Sequence, residues 1–118
     1  MGNETIDEMM GIKEYDSRQA ANRLEDGSSI LLDVRTIQER NRDHIKGSLH
    51  IPLHDLPTQL DSLEKYRLKE IICYCQSGRR SLIAAMILQQ HDFQAVNMRG
   101  GMIEWNKLKY EIVNKINR

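Results

Sequence analysis

The sequence predicts an α/β domain, a three-layer sandwich in which a mostly parallel sheet is covered by helices on both faces. Three apolar segments of strand length, at residues 30–34, 71–74 and 95–98, show almost no polar alternation. Strands of this kind are typical of sheets buried on both sides. Stretches with a helical pattern separate them, which favours parallel strands joined by crossover helices. Because the chain has 118 residues, we expect one domain spanning residues 1–118.

Local signals predict the individual elements. Strands are predicted at residues 12–15, 30–34, 49–51, 71–74 and 95–98. A helix over Ser17–Glu25 has a cap in Asp16 or Ser17. The helix over 80–91 is apolar all round from 82 to 88, so we expect it to be buried. Further helical segments are predicted at 36–41, 56–66 and 102–108, and an amphipathic turn or two over the tail at 110–118.

Charge and hydropathy argue against several classes of protein. The 17 basic and 17 acidic residues give a formal net charge of zero, unlike the basic excess of most nucleic-acid-binding domains. The longest apolar run, residues 82–88, is far too short to cross a bilayer. The first residues are polar and do not form an export signal, so we expect a cytoplasmic protein. His44, His50 and His54 lack the spacing of metal ligands, and we expect no metal site.

One loop concentrates reactive side chains between a predicted buried strand and the central helix. Residues 75–81 read Cys-Gln-Ser-Gly-Arg-Arg-Ser. Free amides and the helix dipole at a helix start favour an anion, which lowers a thiol pKa and makes thiolate available near neutral pH. Gly78 allows the loop to turn its amides inward, and Arg79 and Arg80 add positive charge. We therefore predict that Cys75 is a nucleophile held in a small cradle of backbone amides.

The second cysteine has a different interpretation. Cys73 and Cys75 are the only cysteines, and their separation of two residues is too short for an ordinary structural disulfide. Both side chains should point to the same face of the strand. We interpret Cys73 as a core residue, with a resolving thiol that forms a transient link to Cys75 as the alternative.

Four segments together resemble the rhodanese-like sulfurtransferases. The matching segments are the loop at residues 75–81, the segment 31–35, Glu39 with the segment 44–52, and Gly100-Gly101 with Trp105. They span about residues 12–108 and occur in the order found in the family. The resemblance implies an α/β sandwich around a five-stranded parallel sheet and a single-domain sulfurtransferase of the thiosulfate type.

The same resemblance implies roles for the site residues. Cys75 takes up sulfane sulfur as a persulfide and hands it to a nucleophile such as cyanide, with no metal or organic cofactor. A donor such as thiosulfate would be held by Gln76, Ser77, Gly78, Arg79, Arg80 and Ser81. Asp33 and Arg35 would support the loop from a neighbouring strand end. The partners implied are a small-molecule donor and acceptor or a protein that gives or takes sulfur, without nucleic acid or membrane. Asp43 and His50 depart from the family's frequent Gly and Asn.

Two alternative functions use the same loop. Cysteine-dependent phosphatases and arsenate reductases enclose a larger oxyanion, and the phosphatase pattern is Cys-x5-Arg, whereas four residues separate Cys75 from Arg80. The shorter loop favours a single sulfur atom. A sulfur-relay module that passes sulfur to a partner protein would need the same residues as the enzyme.

Sulfur transfer requires that the thiol is open to solvent and that the amides point toward it.

Overall fold

The fold consists of seven short strands and six helical segments in a computed structural model that describes residues 11–108 and the backbone of residues 112–114. The strands are β1 (Lys13–Tyr15), β2 (Ser29–Asp33), β3 (Asp43–Ile45), β4 (Leu49–His50), β5 (Glu70–Tyr74), β6 (Gln94–Met98) and β7 (Ile112–Asn114). The α-helices are α1 (Ser17–Glu25), α2 (Ile37–Arg42), α3 (Arg79–Gln90) and α4 (Gly101–Lys107). Two 3-10 helices, Leu53–Thr58 and Leu60–Tyr66, lie between β4 and β5.

Five of the strands form one parallel sheet in the order β1-β6-β5-β2-β4. The central strand β5 has β2 on one side and β6 on the other, so that Cys73 lies opposite both Leu32 and Asn97. The carboxyl ends of these three strands therefore meet at one edge of the sheet, where parallel α/β proteins bind their ligands. The predicted fold class and parallel sheet are confirmed.

Apolar side chains from the two faces of the sheet form two separate cores. On one face, strand residues that include Cys73 and Cys75 pack against Ala84, Ala85 and Leu88 of α3 and against the 3-10 helices. On the other face, strand residues pack against α1 and against Met102 and Trp105 of α4. Because helices cover both faces, the strands carry the nearly continuous apolar sequence from which the three-layer arrangement was predicted.

Local capping explains where two helices begin. The Asp16 carboxylate accepts a hydrogen bond from the Gln19 amide at 2.8 Å, and the Gln19 side chain accepts one from the Asp16 amide at 2.9 Å. Thr36 and Glu39 form the same reciprocal arrangement at the start of α2. Such capping boxes satisfy amides that have no partner inside the helix. None of the helices within the described part of the chain is long and apolar enough to cross a membrane.

The tail differs from its prediction. Ile112–Asn114 forms strand β7, which pairs antiparallel with β3 in a second, two-stranded sheet. The predicted amphipathic turn is therefore wrong for these three residues, and the rest of the segment 110–118 lies outside the described residues. The pattern of apolar residues in so short a segment does not separate helix from strand, because the pairing with residues 43–45 decides its conformation.

Candidate active site

The loop after the central strand carries the candidate nucleophile. Cys75 follows the last residue of β5, three residues form the turn, and α3 begins at Arg79. Gly78 caps the helix with a φ of 98°, a left-handed conformation that L side chains rarely adopt. This geometry sends the chain directly from a buried strand into a buried helix, with the amides of the first helical turn around the sulfur.

The Cys75 sulfur lies in a set of hydrogen-bond donors. The Gly78 amide donates to Sγ at 3.1 Å, the Ser81 amide donates at 3.4 Å, and the Ser81 hydroxyl oxygen lies 3.3 Å away. Burial raises the pKa of Cys75, but hydrogen bonds from the Ser81 hydroxyl and from the amides of Ser81, Ser77 and Gly78 outweigh it, so the pKa lies below its ordinary value. The amides point inward, as the sequence predicts.

Exposure of the thiol differs from its prediction. Cys75 is only 1% exposed, although Ser77 and Arg79 of the same loop are exposed. The expectation of a thiol open to solvent is therefore wrong for this conformation. The physical reason is the same cradle that stabilises the anion, since amides that converge on one sulfur also cover it. Sulfur transfer through Cys75 therefore requires a movement of the turn that uncovers the sulfur.

Two glycines allow the loop to approach the segment after β6. A Cβ on Gly78 would overlap the carbonyl oxygen of Arg99, and one on Gly101 would overlap that of Gln76. Next to Gly101, the Met102 amide donates to the Cys75 carbonyl at 2.9 Å and the Ile103 amide donates to the Gln76 carbonyl at 3.2 Å. Backbone contacts between the loop and the start of α4 therefore hold the loop in place.

The two arginines of the loop have different surroundings. Arg80 donates to both carboxylate oxygens of Glu39, at 2.7 and 2.8 Å. This hydrogen bond is the main reason that the pKa of Glu39 falls to about 2. Arg79 is exposed and forms no ion pair with the other residues that the structure describes. Arg80 thus brings a largely compensated charge to the loop, and Arg79 brings a free one.

A buried ion pair lies at the end of the neighbouring strand β2. Arg35 donates to both carboxylate oxygens of Asp33 at 3.0 Å, and the two side chains are 1% and 0% exposed. Arg40 and the Tyr74 hydroxyl also donate to Asp33, at 3.2 and 3.1 Å. A carboxylate this deeply buried needs several donors to offset its lost hydration, and here it has them.

Arg35 connects this ion pair to the candidate loop. Its Nη1 lies 3.5 Å from the side-chain oxygen of Gln76, a long contact. Asp43 and His50, the two departures from the family pattern, both hold Arg35: the Asp43 carbonyl accepts from Nη2 at 2.6 Å, and His50 Nε2 lies 2.8 Å from the Arg35 carbonyl. The structure therefore places Arg35 beside the loop and Asp33 behind Arg35, and their support of the loop stays a prediction.

One residue at the site was missed by the sequence reasoning. Asn97 of β6 is 1% exposed and accepts a hydrogen bond from the Ser81 hydroxyl at 2.6 Å. It also donates to the Gly78 carbonyl at 3.1 Å. A polar residue inside an otherwise apolar predicted strand was the available signal, because buried amides need partners. The position beside Cys73 in the sheet could not be read without the strand order.

Cys73 has the surroundings of a core residue. It is fully buried in the same apolar cluster as Cys75, which confirms that the two side chains share one face. Burial raises the pKa of Cys73 well above its ordinary value, so this thiol stays protonated. Both cysteines are free in the structure.

The Cys75 sulfur lies between a central parallel strand and a buried helix, and backbone amides donate hydrogen bonds to it. This arrangement places the chain in the class of α/β proteins with an anion-stabilising loop. Within that class, the chain belongs to the rhodanese-like domain family, whose profile matches residues 16–108. It is similar to a sulfurtransferase of Allochromatium vinosum, with 35% identity over 86% of this chain and 95% of that protein. Its relatives thus include a sulfurtransferase of nearly the same length as the matched part of this chain.

Two other relatives extend the comparison. YrkF of Bacillus subtilis, named as a candidate sulfur carrier protein, is 40% identical over 68% of this chain and 43% of its own length. The crystal structure of a rhodanese-related protein from Thermoplasma volcanium is similar with a TM-score of 0.78 and 27% identity, covering 86% of this chain and 97% of that one. The structural similarity agrees with the sheet described above.

Proposed function

We propose that the protein moves sulfane sulfur through a persulfide on Cys75, with thiosulfate as a donor and cyanide as an acceptor in the assay. The observation that carries the proposal is the contact of the Cys75 sulfur with the Gly78 and Ser81 amides at 3.1 and 3.4 Å. Amide donors fixed around one sulfur stabilise a thiolate without a general base. Membership in a sulfurtransferase family supports this chemistry.

The transfer takes place in two displacements. The Cys75 thiolate attacks the outer sulfur of thiosulfate, a new S–S bond forms, and sulfite leaves with the electron pair of the broken S–S bond. Cyanide then attacks the outer sulfur of the persulfide, and thiocyanate leaves as the Cys75 thiolate is restored. Charge is conserved in each step, and no proton has to move while the thiol is ionised.

Binding of the donor anion depends on the loop residues 76–81. Arg79 is the uncompensated cation of this loop among the described residues, so it is the group that attracts an anionic donor. Arg80 acts through Glu39 to hold α2 against the start of α3. Asp33 and Arg35 support the turn through the Gln76 side chain. Because Cys75 is 1% exposed, a donor reaches the sulfur only when the turn moves.

A sulfur-relay function is the second candidate. It is favoured by the 40% identity with YrkF, whose name designates a sulfur carrier. A relay would load the same persulfide and then wait for a partner protein, which makes cyanide a poor substitute. Phosphatase and arsenate reductase chemistry is less well supported, because the converging amides lie at hydrogen-bond distance from a single sulfur and leave a short turn of three residues.

Steady-state turnover tests the proposal. Purified protein is incubated with thiosulfate and cyanide, and thiocyanate is measured beside the fraction of protein that carries a persulfide. Turnover at the rate of persulfide formation supports an enzyme with small substrates. Full persulfide loading with very slow thiocyanate release supports the relay. Absence of both, with hydrolysis of a phosphate monoester instead, contradicts sulfur transfer.

A further inference from the structure

A buried amide lies between the candidate loop and the edge strand of the sheet. Asn97 of β6 lies opposite Cys73 of β5 and opposite Glu14 of β1. Its Nδ2 group donates to Glu14 at 2.8 Å and to the Gly78 carbonyl at 3.1 Å. Because both acceptors face Nδ2, the orientation of the amide is determined, and its oxygen faces Ser81.

The Ser81 hydroxyl has two neighbours that compete for its one proton. Its oxygen lies 2.6 Å from Asn97 Oδ1 and 3.3 Å from Cys75 Sγ. The Asn97 oxygen only accepts, so at this distance Ser81 gives its proton to Asn97. The Ser81 oxygen is then left to accept the S–H of Cys75. The Cys75 thiol thus donates to the Ser81 hydroxyl, and the hydroxyl donates to the Asn97 side-chain oxygen.

These hydrogen bonds change when Cys75 ionises. A thiolate is held by the Gly78 and Ser81 amides and can also accept the Ser81 proton, which the hydroxyl supplies only by turning away from Asn97. Asn97 is 1% exposed, so its side-chain oxygen would then be buried without a donor. The cost of this unsatisfied oxygen opposes the rotation of the hydroxyl. The Asn97 oxygen and the charged sulfur therefore compete for the Ser81 hydroxyl proton.

We propose that Asn97 is a positioning residue that holds the Ser81 proton while Cys75 is a thiol and limits how far the hydroxyl stabilises negative charge on the sulfur. Its use in catalysis rests on the proposed function, because charge returns to Sγ each time an acceptor removes the outer sulfur. A thiolate that is stabilised less has a higher intrinsic nucleophilicity. The competition for the proton, by contrast, is a property of the resting protein.

The charged and titratable groups around the sulfur come from four elements. Cys73 of β5 is neutral, Arg80 of α3 is paired with Glu39 of α2, and Glu14 of β1 lies behind the Asn97 amide. Ser81→Ala alters none of these contacts, whereas Asn97→Ala removes the hydrogen bond to Glu14 in both the wild-type and the Ser81→Ala background. Their effects on the thiol therefore cancel when the single and double variants are compared.

The pKa of Cys75 in four proteins tests this inference. The rate of alkylation of Cys75 is measured against pH, with the modified cysteine identified by fragment mass, in wild type, Asn97→Ala, Ser81→Ala and the double variant. We expect Asn97→Ala to lower the pKa by about half to one unit, because the hydroxyl is freed for the thiolate. Ser81→Ala should raise it. In the Ser81→Ala background, Asn97→Ala should have no further effect. Glu14→Gln, which keeps an acceptor for the amide, is the matched control and should leave the pKa unchanged.

An unchanged or raised pKa in Asn97→Ala would overturn the inference, and so would an equal shift in the Ser81→Ala background. Carbon-13 NMR of the Asn97 side-chain carbonyl provides a second reading that does not require an Asn97 variant to fold. Its chemical shift should follow the ionisation of Cys75 in wild type and stay constant in Ser81→Ala. Equal titration in both proteins would contradict the competition. Neither measurement involves a sulfur donor, so failure of sulfur transfer and failure of this inference are distinguishable.

Discussion

Replacement of Gly78 by alanine perturbs the loop where its backbone touches the backbone of Arg99. The new Cβ would overlap the Arg99 carbonyl oxygen and lie 2.8 Å from the carbonyl carbon, both backbone atoms that cannot rotate away. The residue also has a φ of 98°. A left-handed alanine costs about 1–2 kcal/mol, and forcing apart a packed contact costs about 1–3 kcal/mol. We therefore expect Gly78→Ala to lower the free energy of unfolding by about 2–5 kcal/mol.

Gly47→Ala is a matched control for this experiment. Gly47 has a φ of 84°, and a Cβ there would have no neighbour within 4 Å. The free energy of unfolding of Gly47→Ala should fall only by the cost of the left-handed alanine, about 1–2 kcal/mol. Urea unfolding followed by circular dichroism measures it. Displacement of the Gly78 amide should also slow persulfide formation at neutral pH, since loss of one donor raises the thiol pKa. Equal stability losses in the two variants, or wild-type sulfur loading in Gly78→Ala, would refute the reasoning.

Three further predictions follow from the geometry of the loop. Cys75→Ser should abolish sulfur transfer in the thiocyanate assay while the urea midpoint changes little; residual activity in the purified variant would contradict the assignment. Arg79→Ala should raise the KM for thiosulfate without a loss of stability, whereas Arg80→Ala should lower the urea midpoint as well; identical behaviour of the two variants would contradict their different roles. Glu39→Gln should destabilise the protein by about 1–2 kcal/mol at neutral pH, a value discounted for the partial exposure of Arg80. Because the folded pKa of Glu39 is depressed to about 2, this contribution is present above its unfolded pKa of 4.5 and disappears as pH falls toward 2; a pH-independent difference between the two proteins would contradict the ion pair.

Elements with local signals could be predicted from the sequence. The helix Ser17–Glu25 has the predicted bounds because its cap, Asp16, lies next to it in the chain. The central strand and the helix after it were also predicted to within one or two residues, because long apolar runs and a glycine mark them. In these segments the interactions that decide the conformation lie within a few residues of each other.

Features that depend on distant partners could not be predicted. The Arg80–Glu39 ion pair joins residues 41 positions apart, so Arg80 was assigned from the sequence to the donor site without its carboxylate partner. Asn97 reaches Ser81 only because β6 lies beside β5. Burial of the Cys75 thiol depends on the amides that converge on it and on packing in the core cluster that also contains Val34, Leu56 and Ala84. The sequence motif predicts the chemistry of the loop, whereas its accessibility depends on packing between elements.

Burial of the sulfur also bears on the choice of donor. A thiol that is 1% exposed reacts with bulky reagents only when its loop moves, so the alkylation rate should fall steeply as the reagent becomes larger. If thiosulfate is the donor, as proposed, this small dianion should require a smaller movement of the turn than a bulky reagent does. A protein-bound persulfide requires that its partner displaces the turn around Ser77 first.

Intact-mass measurement of the protein after incubation with thiosulfate tests the central claim most directly. The account predicts the addition of the mass of one sulfur atom to wild type, its removal by cyanide, and no addition to Cys75→Ser, with Cys73→Ser still loaded as the matched control. A wild-type mass that stays unchanged, or a sulfur that is added equally to the Cys75→Ser variant, would contradict the account.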